Sequence, residues 1–223
     1  MKRRLEPELM EEVDQAMAYA EADFSEPNAL FLRLLGELEP GQLDGARALD
    51  LGCGPADIVM RFLTAYPHAE CDALDGSAAM LRHAREALDR LPGLAKRCSL
   101  IQDLLPSGRL PTAHYDLILS NSLLHHLHDP QVLWQTVKQC AKPGAIVLIM
   151  DLMRPPSAGW AEALVSTYAS DVPDVLRNDF RNSLFAAFEP NEVAAQLVQA
   201  GIDGPEIAVV SDRHLAAWGR LKS

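Results

Sequence analysis

Between residues 46 and 152, short apolar runs and amphipathic segments alternate along the chain, and this alternation limits the fold more than any other feature. ARALDL (46–51) has the continuous apolar character of a buried strand, and ADIVMRFLTAY (56–66) repeats its apolar residues at helical spacing. AECDALD (69–75) gives a second strand, followed by the helix SAAMLRHAREALDRL (77–91) with Ser77 as its N-cap. A third strand is expected at 97–102 and a fourth, YDLILSN, at 115–121. A helix then begins after Asp129-Pro130, where proline suits the first helical position. GAIVLIMDL (144–152) is the most apolar strand. Strands separated by single helices require right-handed crossovers, and therefore a parallel sheet with helices on both faces.

The flanks break this rhythm. Residues 8–22 place Leu9, Val13, Met17 and Tyr19 near one face of a helix, and a break follows at Ser25-Glu26-Pro27. A second helix carries Leu30, Phe31, Leu34 and Leu35 and ends at Pro40-Gly41. Residues 154–187, rich in aromatics, Arg and Asp, read as two short helices inserted over the strand ends. EPNEVAAQLVQAGI (189–202) resumes as a helix, and IAVV (207–210) with HLAAWGR (214–220) forms an antiparallel hairpin. The expectation is an α/β, Rossmann-like, seven-stranded, mostly parallel sheet with an antiparallel last strand, an N-terminal helical cap and a helical lid. Without repeats or low-complexity tracts, residues 1–223 read as one domain. Within it, 1–45 are N-terminal helices, 46–152 the core, 153–188 the lid, and 189–223 the last helix and hairpin.

At 223 residues the chain can bury a sizeable core, and 48% apolar with 23% charged residues is ordinary globular composition. A net charge of −11 argues against a nucleic-acid partner, which usually leaves a basic footprint. No run of about 18 apolar residues is present, so no membrane span is expected. MKRRLEPELMEEVDQ starts basic but has no apolar stretch behind it, unlike a secretory signal. Cys53, Cys71, Cys98 and Cys140 have neither zinc-ligand nor C-x-x-C spacing. Two of them, Cys71 and Cys98, sit beside strand starts, so reduced thiols and a cytoplasmic location are expected. A homodimer is compatible with this reading.

The most informative segment is Leu49-Asp50-Leu51-Gly52-Cys53-Gly54-Pro55-Ala56-Asp57. A strand running into G-x-G turns tightly, and glycines without side chains let a ligand approach the backbone. By itself G-x-G is a common strand-to-helix turn. Asp50 ends the first strand, Asp75 ends the second, where a carboxylate can accept both hydroxyls of a ribose, and Asp103 follows the third. Three acids at successive strand ends meet along the crevice where such sheets bind ligands.

With these motifs the sequence resembles class I S-adenosylmethionine-dependent methyltransferases, in particular those related to ubiquinone/menaquinone-biosynthesis enzymes. The resemblance covers roughly residues 46–152. LDLGCGPAD is similar to the family's first motif, DALDGSAAML to its ribose-binding segment and IQDL to its adenine-binding one. YDLILSNSLLHHLHDP resembles the fourth-strand motif, and AKPGAIVLIMD the turn and fifth strand. The resemblance implies S-adenosyl-L-methionine as cofactor, S-adenosyl-L-homocysteine as product and a small-molecule methyl acceptor. Gly52 and Gly54 would approach the methionine part, with Asp50 beside them. Asp75 and Gly76 would hold the ribose, Met80 would pack on adenine, Asp103 and Leu104 would meet its edge, and Ser120 would line the floor near the methyl group. Tyr19 would close over the cofactor from the N-terminal helix. A nicotinamide dehydrogenase also uses G-x-G and a distant acid, but Asp57 stands where its third glycine belongs.

Methyl transfer from a sulfonium is an in-line displacement, so positioning supplies much of the rate, and a base is needed only where the nucleophile holds its proton. Ser120-Asn121-Ser122 stands where nucleic-acid amino-methylating enzymes carry N-P-P-Y. His125, His126 and His128 follow the fourth strand, and imidazole is the natural base near neutral pH, with His125 and His126 ahead of His128. As plain helix-cap and packing residues they would look the same. No carboxylate or Cys neighbour completes a metal site around them, so none is expected. Asp151 and Arg154 bracket the end of the fifth strand, Asp151 as a catalytic candidate and Arg154 as a substrate or surface ion-pair residue. The insertion supplies Tyr168 as a substrate contact, with Asp171, Asp179, Phe180, Arg181 and Phe188 close by in sequence. Asp212-Arg213-His214 reads as a hairpin turn. A cofactor-binding module without transferase activity and an NAD-dependent oxidoreductase remain the alternatives.

Overall fold

A computed structural model describes residues 1–38 and 43–222. The chain order is α1 (Val13–Glu21), α2 (Ser25–Leu38), β1 (Arg47–Leu51), α3 (Asp57–Ala65), β2 (Glu70–Asp75), α4 (Ala78–Asp89), α5 (Pro92–Ala95) and β3 (Cys98–Gln102). It continues with β4 (Tyr115–Asn121), a 3₁₀ turn at Leu124–His126, α6 (Gln131–Cys140), β5 (Ala141–Leu152), α7 (Ala158–Tyr168), α8 (Asp174–Ala186) and α9 (Pro190–Ala200). The hairpin of β6 (Glu206–Val209) and β7 (His214–Arg220) follows. The end of α2, expected at Pro40-Gly41, lies outside the described residues.

The seven strands form one sheet in the order β3-β2-β1-β4-β5-β7-β6. β1 to β5 run parallel, while β7 is antiparallel to both β5 and β6. Alternation along each strand explains why the runs are almost wholly apolar. Ala48, Leu117, Leu119, Ile146, Leu148 and Met150 face the layer of α2 and α3. Leu49, Leu51, Ile118, Val147 and Ile149 face that of α6 and α9. Both faces of the sheet are buried, so polar alternation has no place there. Beyond the end of β5, Leu152 meets a smaller cluster that joins α7 to α8. No helix among the described residues is long and apolar enough to cross a membrane.

Several boundaries differ from expectation: Ser25-Glu26-Pro27 form the first turn of α2 rather than a break before it, α5 was not expected, and β5 starts at Ala141 rather than Gly144. The first helix begins at Val13 rather than near residue 8. Residues before it run as an extended strap whose partners lie across the molecule, and these tertiary contacts replace the helical hydrogen bonds that local periodicity favours.

Strand order reverses between β1 and β4, because β2 and β3 lie to one side and β5 to the other. In open α/β sheets the carboxyl ends of the strands at such a reversal form a crevice that is a natural ligand site.

Candidate active site

Two cavities open at that crevice, of about 380 Å³ and 280 Å³. They share Met10, Tyr19, Gly52, Gly54, Asn121 and His126 as walls. The loop after β1 creates the passage. Gly52 (φ +73°), Gly54 (φ +53°) and Ala56 (φ +66°) all lie in the left-handed region, turning the strand end sharply into α3. A Cβ on Gly54 would meet nothing within 4 Å, so the missing side chain leaves open space beside the backbone. A Cβ on Gly52 would come within 2.9 Å of the Leu123 side chain, so this glycine also serves packing.

The smaller cavity brings together Asp75, Gly76, Met80, Asp103 and Leu104. Asp75 is held by backbone N–H donors from Gly54 and Ser77, each at 2.8 Å. Burial raises its pKa while those two bonds pull it back. Each carboxylate oxygen accepts one of these bonds, which leaves lone pairs for a ligand. Asp103 accepts from the Leu104 N–H at 2.9 Å and the Ser107 hydroxyl at 2.6 Å, and these bonds keep its pKa low. Met80 is buried among Ala16 and Ala79 beneath Tyr19.

The larger cavity is floored by Asp50 and Asn121 and roofed by α7 and α8. Asp50 is 2% exposed, and burial, with Asp75 nearby, pushes its pKa well above the carboxylate range. Asp50 Oδ1 and Asn121 Oδ1 are the two buried side-chain oxygens without a hydrogen-bond partner among the described residues. Orphaned buried acceptors are costly, and a pair of them on a cavity floor marks where a donor-bearing ligand belongs. Asn28 donates to Asp57, and Asn121 Nδ2 donates to Asn28 Oδ1 at 3.3 Å. Asp57, at the position a dinucleotide loop gives to glycine, is also bonded by Arg61 at 3.2 Å. Tyr19 lines both cavities, its ring centroid 4.6 Å from that of Phe24. Burial, reinforced by Asp75, raises its hydroxyl pKa to about 12.

At the inner wall stands a buried cluster that sequence reading foresaw only in part. The His125 backbone N–H donates to Asp151 Oδ2 at 3.0 Å, and His125 Nδ1 lies 2.5 Å from Asp151 Oδ1. On the other side His125 Nε2 is 3.4 Å from Glu6 Oε1, and His126 Nδ1 is 3.3 Å from the same oxygen. Burial opposes charging His125, but Asp151 and then Glu6 outweigh it and hold its pKa above the usual value. Burial raises Asp151 too, yet His125 keeps it low. His126 is pushed down to about 3 by burial and by His125 beside it. The expectation that no carboxylate stands near these histidines is therefore corrected: Asp151 and Glu6 both do.

Glu6 belongs to the strap, and no periodicity or motif around it points to this place. Arg3 donates to the carbonyls of Ala186, His125 and Leu127, its guanidinium 3.8 Å above the Phe188 ring. The Arg4 N–H donates to the Phe185 carbonyl at 2.9 Å, and Ser183 Oγ donates to Glu6 at 3.1 Å. Ser77 Oγ donates to the Met10 carbonyl at 2.6 Å.

Four expected residues stand apart from the cavities, Asp151 reaching the larger one only through His125. Ser120 is fully buried and donates to the Leu51 carbonyl at 2.7 Å, tying β4 to β1; its neighbours Asn121 and Ser122 line the floor instead. Arg154 is turned away into ion pairs with Glu189 at 3.0 Å and Glu192 at 2.9 Å, fastening β5 to α9. His128 packs on the strap, with Nε2 2.8 Å from the Glu6 carbonyl. Tyr168 does line the larger cavity, donating to Asp212 at 2.6 Å beneath Arg213, whose guanidinium sits 3.5 Å from its ring centroid. Arg213 is also paired with Glu26 and Asp212, so the supposed hairpin turn is part of the cavity wall.

His214, 4% exposed at that wall, has its pKa lowered to about 4 by burial, with Arg213 adding to the effect. The unfolded chain binds this proton near pH 6.5, whereas the native state refuses it until about pH 4. Stability is therefore lost as pH falls through that window, by about 2 kcal/mol between pH 7 and 5. Urea unfolding at the two pH values should show this loss, and His214→Gln should be flatter by about that amount. Equal slopes for the two proteins would refute the assignment.

Residues 49–147 match the model of a family described as a methyltransferase domain. Trans-aconitate 2-methyltransferase of Azoarcus sp. (strain BH72) is 30% identical over 136 residues, covering 56% of this chain and 51% of the relative. Ubiquinone biosynthesis O-methyltransferase of Bordetella bronchiseptica is 28% identical over 190 residues, covering 82% and 73%. The chain thus spans about half the length of the first of these relatives. A SAM-dependent methyltransferase structure from Aquifex aeolicus superposes with a TM-score of 0.70 at 19% identity, over 93% of this chain and 98% of that one. At that identity the likeness is one of fold.

Proposed function

We propose that this chain is a class I methyltransferase that moves a methyl group from S-adenosylmethionine to a small-molecule acceptor. The observation that carries the reading is the set of three acids, Asp50, Asp75 and Asp103, at the ends of β1 and β2 and just past β3, facing two joined cavities. Asp75 would take the ribose hydroxyls, Asp103 the adenine edge above Met80, and Asp50 with Asn121 the polar end of the methionine. When bound, the cofactor supplies an activated methyl group. The protein's own part is to hold the acceptor in line, exclude water and receive a proton.

In this reading α7 and α8 cover the acceptor, and the His125 cluster receives the proton the acceptor releases. Asp151 acts through His125 as a positioning residue. Asp23, Glu26, Asp57 and Asp179 line the larger cavity against Arg213, the one arginine lining it among the described residues, so its wall stays acidic even with Glu26 paired to Arg213 and Asp57 to Arg61. That charge balance favours a neutral or cationic acceptor, a phenol or an amine, over a polycarboxylate.

The test is calorimetric titration with S-adenosylhomocysteine, followed by incubation with S-adenosylmethionine and a panel of phenols and amines. Micromolar binding with formation of a methylated product is expected. Absence of binding by either nucleoside would overturn the reading, and binding without turnover across the panel would move it to a cofactor-binding module.

A further inference from the structure

We propose that Glu6, His125 and His126 form a binding site for one divalent transition-metal ion of the zinc class, opening onto the larger cavity. The inference stands on side-chain geometry and does not depend on the methyl-transfer reading.

The distances within the cluster carry the argument. The separations of Glu6 Oε1 from His125 Nε2 and His126 Nδ1, 3.4 Å and 3.3 Å, exceed the 2.7–2.9 Å of a charge-assisted hydrogen bond. They match instead the edge of a tetrahedron of ligands: with metal bonds of 2.0–2.2 Å, neighbouring donor atoms lie about 3.3–3.5 Å apart. All three donor atoms lie within 4.8 Å of one another.

The surroundings are those of a metal site. Nδ1 of His125 faces Asp151 at 2.5 Å, which leaves Nε2 to bind, the carboxylate–histidine arrangement that fixes the ring and tautomer of metal-bound imidazoles. His126 Nδ1 stands 3.3 Å from Glu6 Oε1, so this ring would ligate through Nδ1 with its proton on Nε2. Glu6 is fixed by the Ser183 hydroxyl at 3.1 Å, and its side chain is only 9% exposed. Two imidazoles and one carboxylate suit zinc, iron(II) or cobalt(II), whereas magnesium and calcium prefer oxygen donors. His125 and His126 both line the larger cavity, so an ion held by them would lie at its wall. An acceptor hydroxyl bound there would have its pKa lowered, as metal-bound water does.

The experiment uses the tag-free full chain, stripped with a chelator and dialysed, then titrated with zinc and with cobalt at pH 7.5. One equivalent is expected to bind, with cobalt giving the intense visible absorption of a four-coordinate ion. Glu6→Gln and His126→Gln should each weaken binding by on the order of 100-fold, and Asp151→Asn by about 10–100-fold. Thermal unfolding of each variant shows that the fold is kept. No stoichiometric binding at tens of micromolar metal, or binding that survives Glu6→Gln and His126→Gln unchanged, overturns the site. S-adenosylhomocysteine titration of the stripped protein keeps the two ideas separate, since nucleoside binding beside a failed metal titration leaves the methyltransferase reading intact and sinks only this one.

Discussion

Asp75→Ala is expected to weaken S-adenosylhomocysteine binding by about 10²–10⁴-fold. Two ribose hydroxyls bonded to a carboxylate contribute about 1.5–3 kcal/mol each, and each 1.4 kcal/mol is a factor of ten. The side chain also carries the loop, because Gly54 and Ser77 donate to it at 2.8 Å, so the alanine variant loses preorganisation together with contacts. Asp75→Asn separates the two contributions. One of its polar atoms becomes a donor and clashes with an existing backbone donor, so its affinity should fall between wild type and alanine. Asp103→Ala removes fewer bonds and should cost only about 10–100-fold. Calorimetry on all three, with thermal unfolding to confirm the fold, decides the matter. Affinity within threefold of wild type for Asp75→Ala would place the cofactor elsewhere.

His125→Asn is expected to lower kcat by about 10²–10⁴-fold while leaving S-adenosylhomocysteine affinity within a few-fold. Asp151→Asn should lower kcat too, and without added metal it should also move the pH profile. In the wild type, Asp151 and Glu6 outweigh burial and hold His125 above its ordinary pKa, so the rate limb that needs neutral imidazole rises at correspondingly higher pH. Removing the Asp151 charge leaves burial dominant, and the limb shifts to lower pH. A merely structural role for Asp151 would reduce activity without displacing the limb, and that outcome would remove it from the positioning role. Glu6→Gln moves the limb in the same direction, and further loss in the double variant would report how the two carboxylates share the histidine.

The strand-and-helix order was legible because burial on both faces leaves β1, β4 and β5 almost purely apolar, while α3, α4 and α6 must show a single apolar stripe. The acids at the strand ends were legible for the opposite reason: Asp50 sits at the end of a run that is apolar after Arg47, where an acid has no packing use. What escaped was everything brought in by tertiary contact. Glu6 has no periodicity or neighbour that announces it, and its position depends on Arg3 finding carbonyls at the far end of α8. Ser120 was misplaced by one step of strand alternation, which puts its hydroxyl between strands and Asn121 on the floor. Arg154 was drawn into the site by sequence proximity to Asp151, although a buried guanidinium goes to the nearest carboxylates, and α9 supplies two of them.

The strap has a consequence for how the molecule comes to be finished. Its anchors on α8 lie 183 residues away for Arg3 and 177 for Glu6. The strap is therefore made long before its partners and waits for α8 to follow before it can dock. Closing so long a loop costs entropy that only the assembled sheet and lid can offset, so the histidine cluster is completed last, after the core has formed. A chain stopped short of α8 has nothing on which to set Glu6.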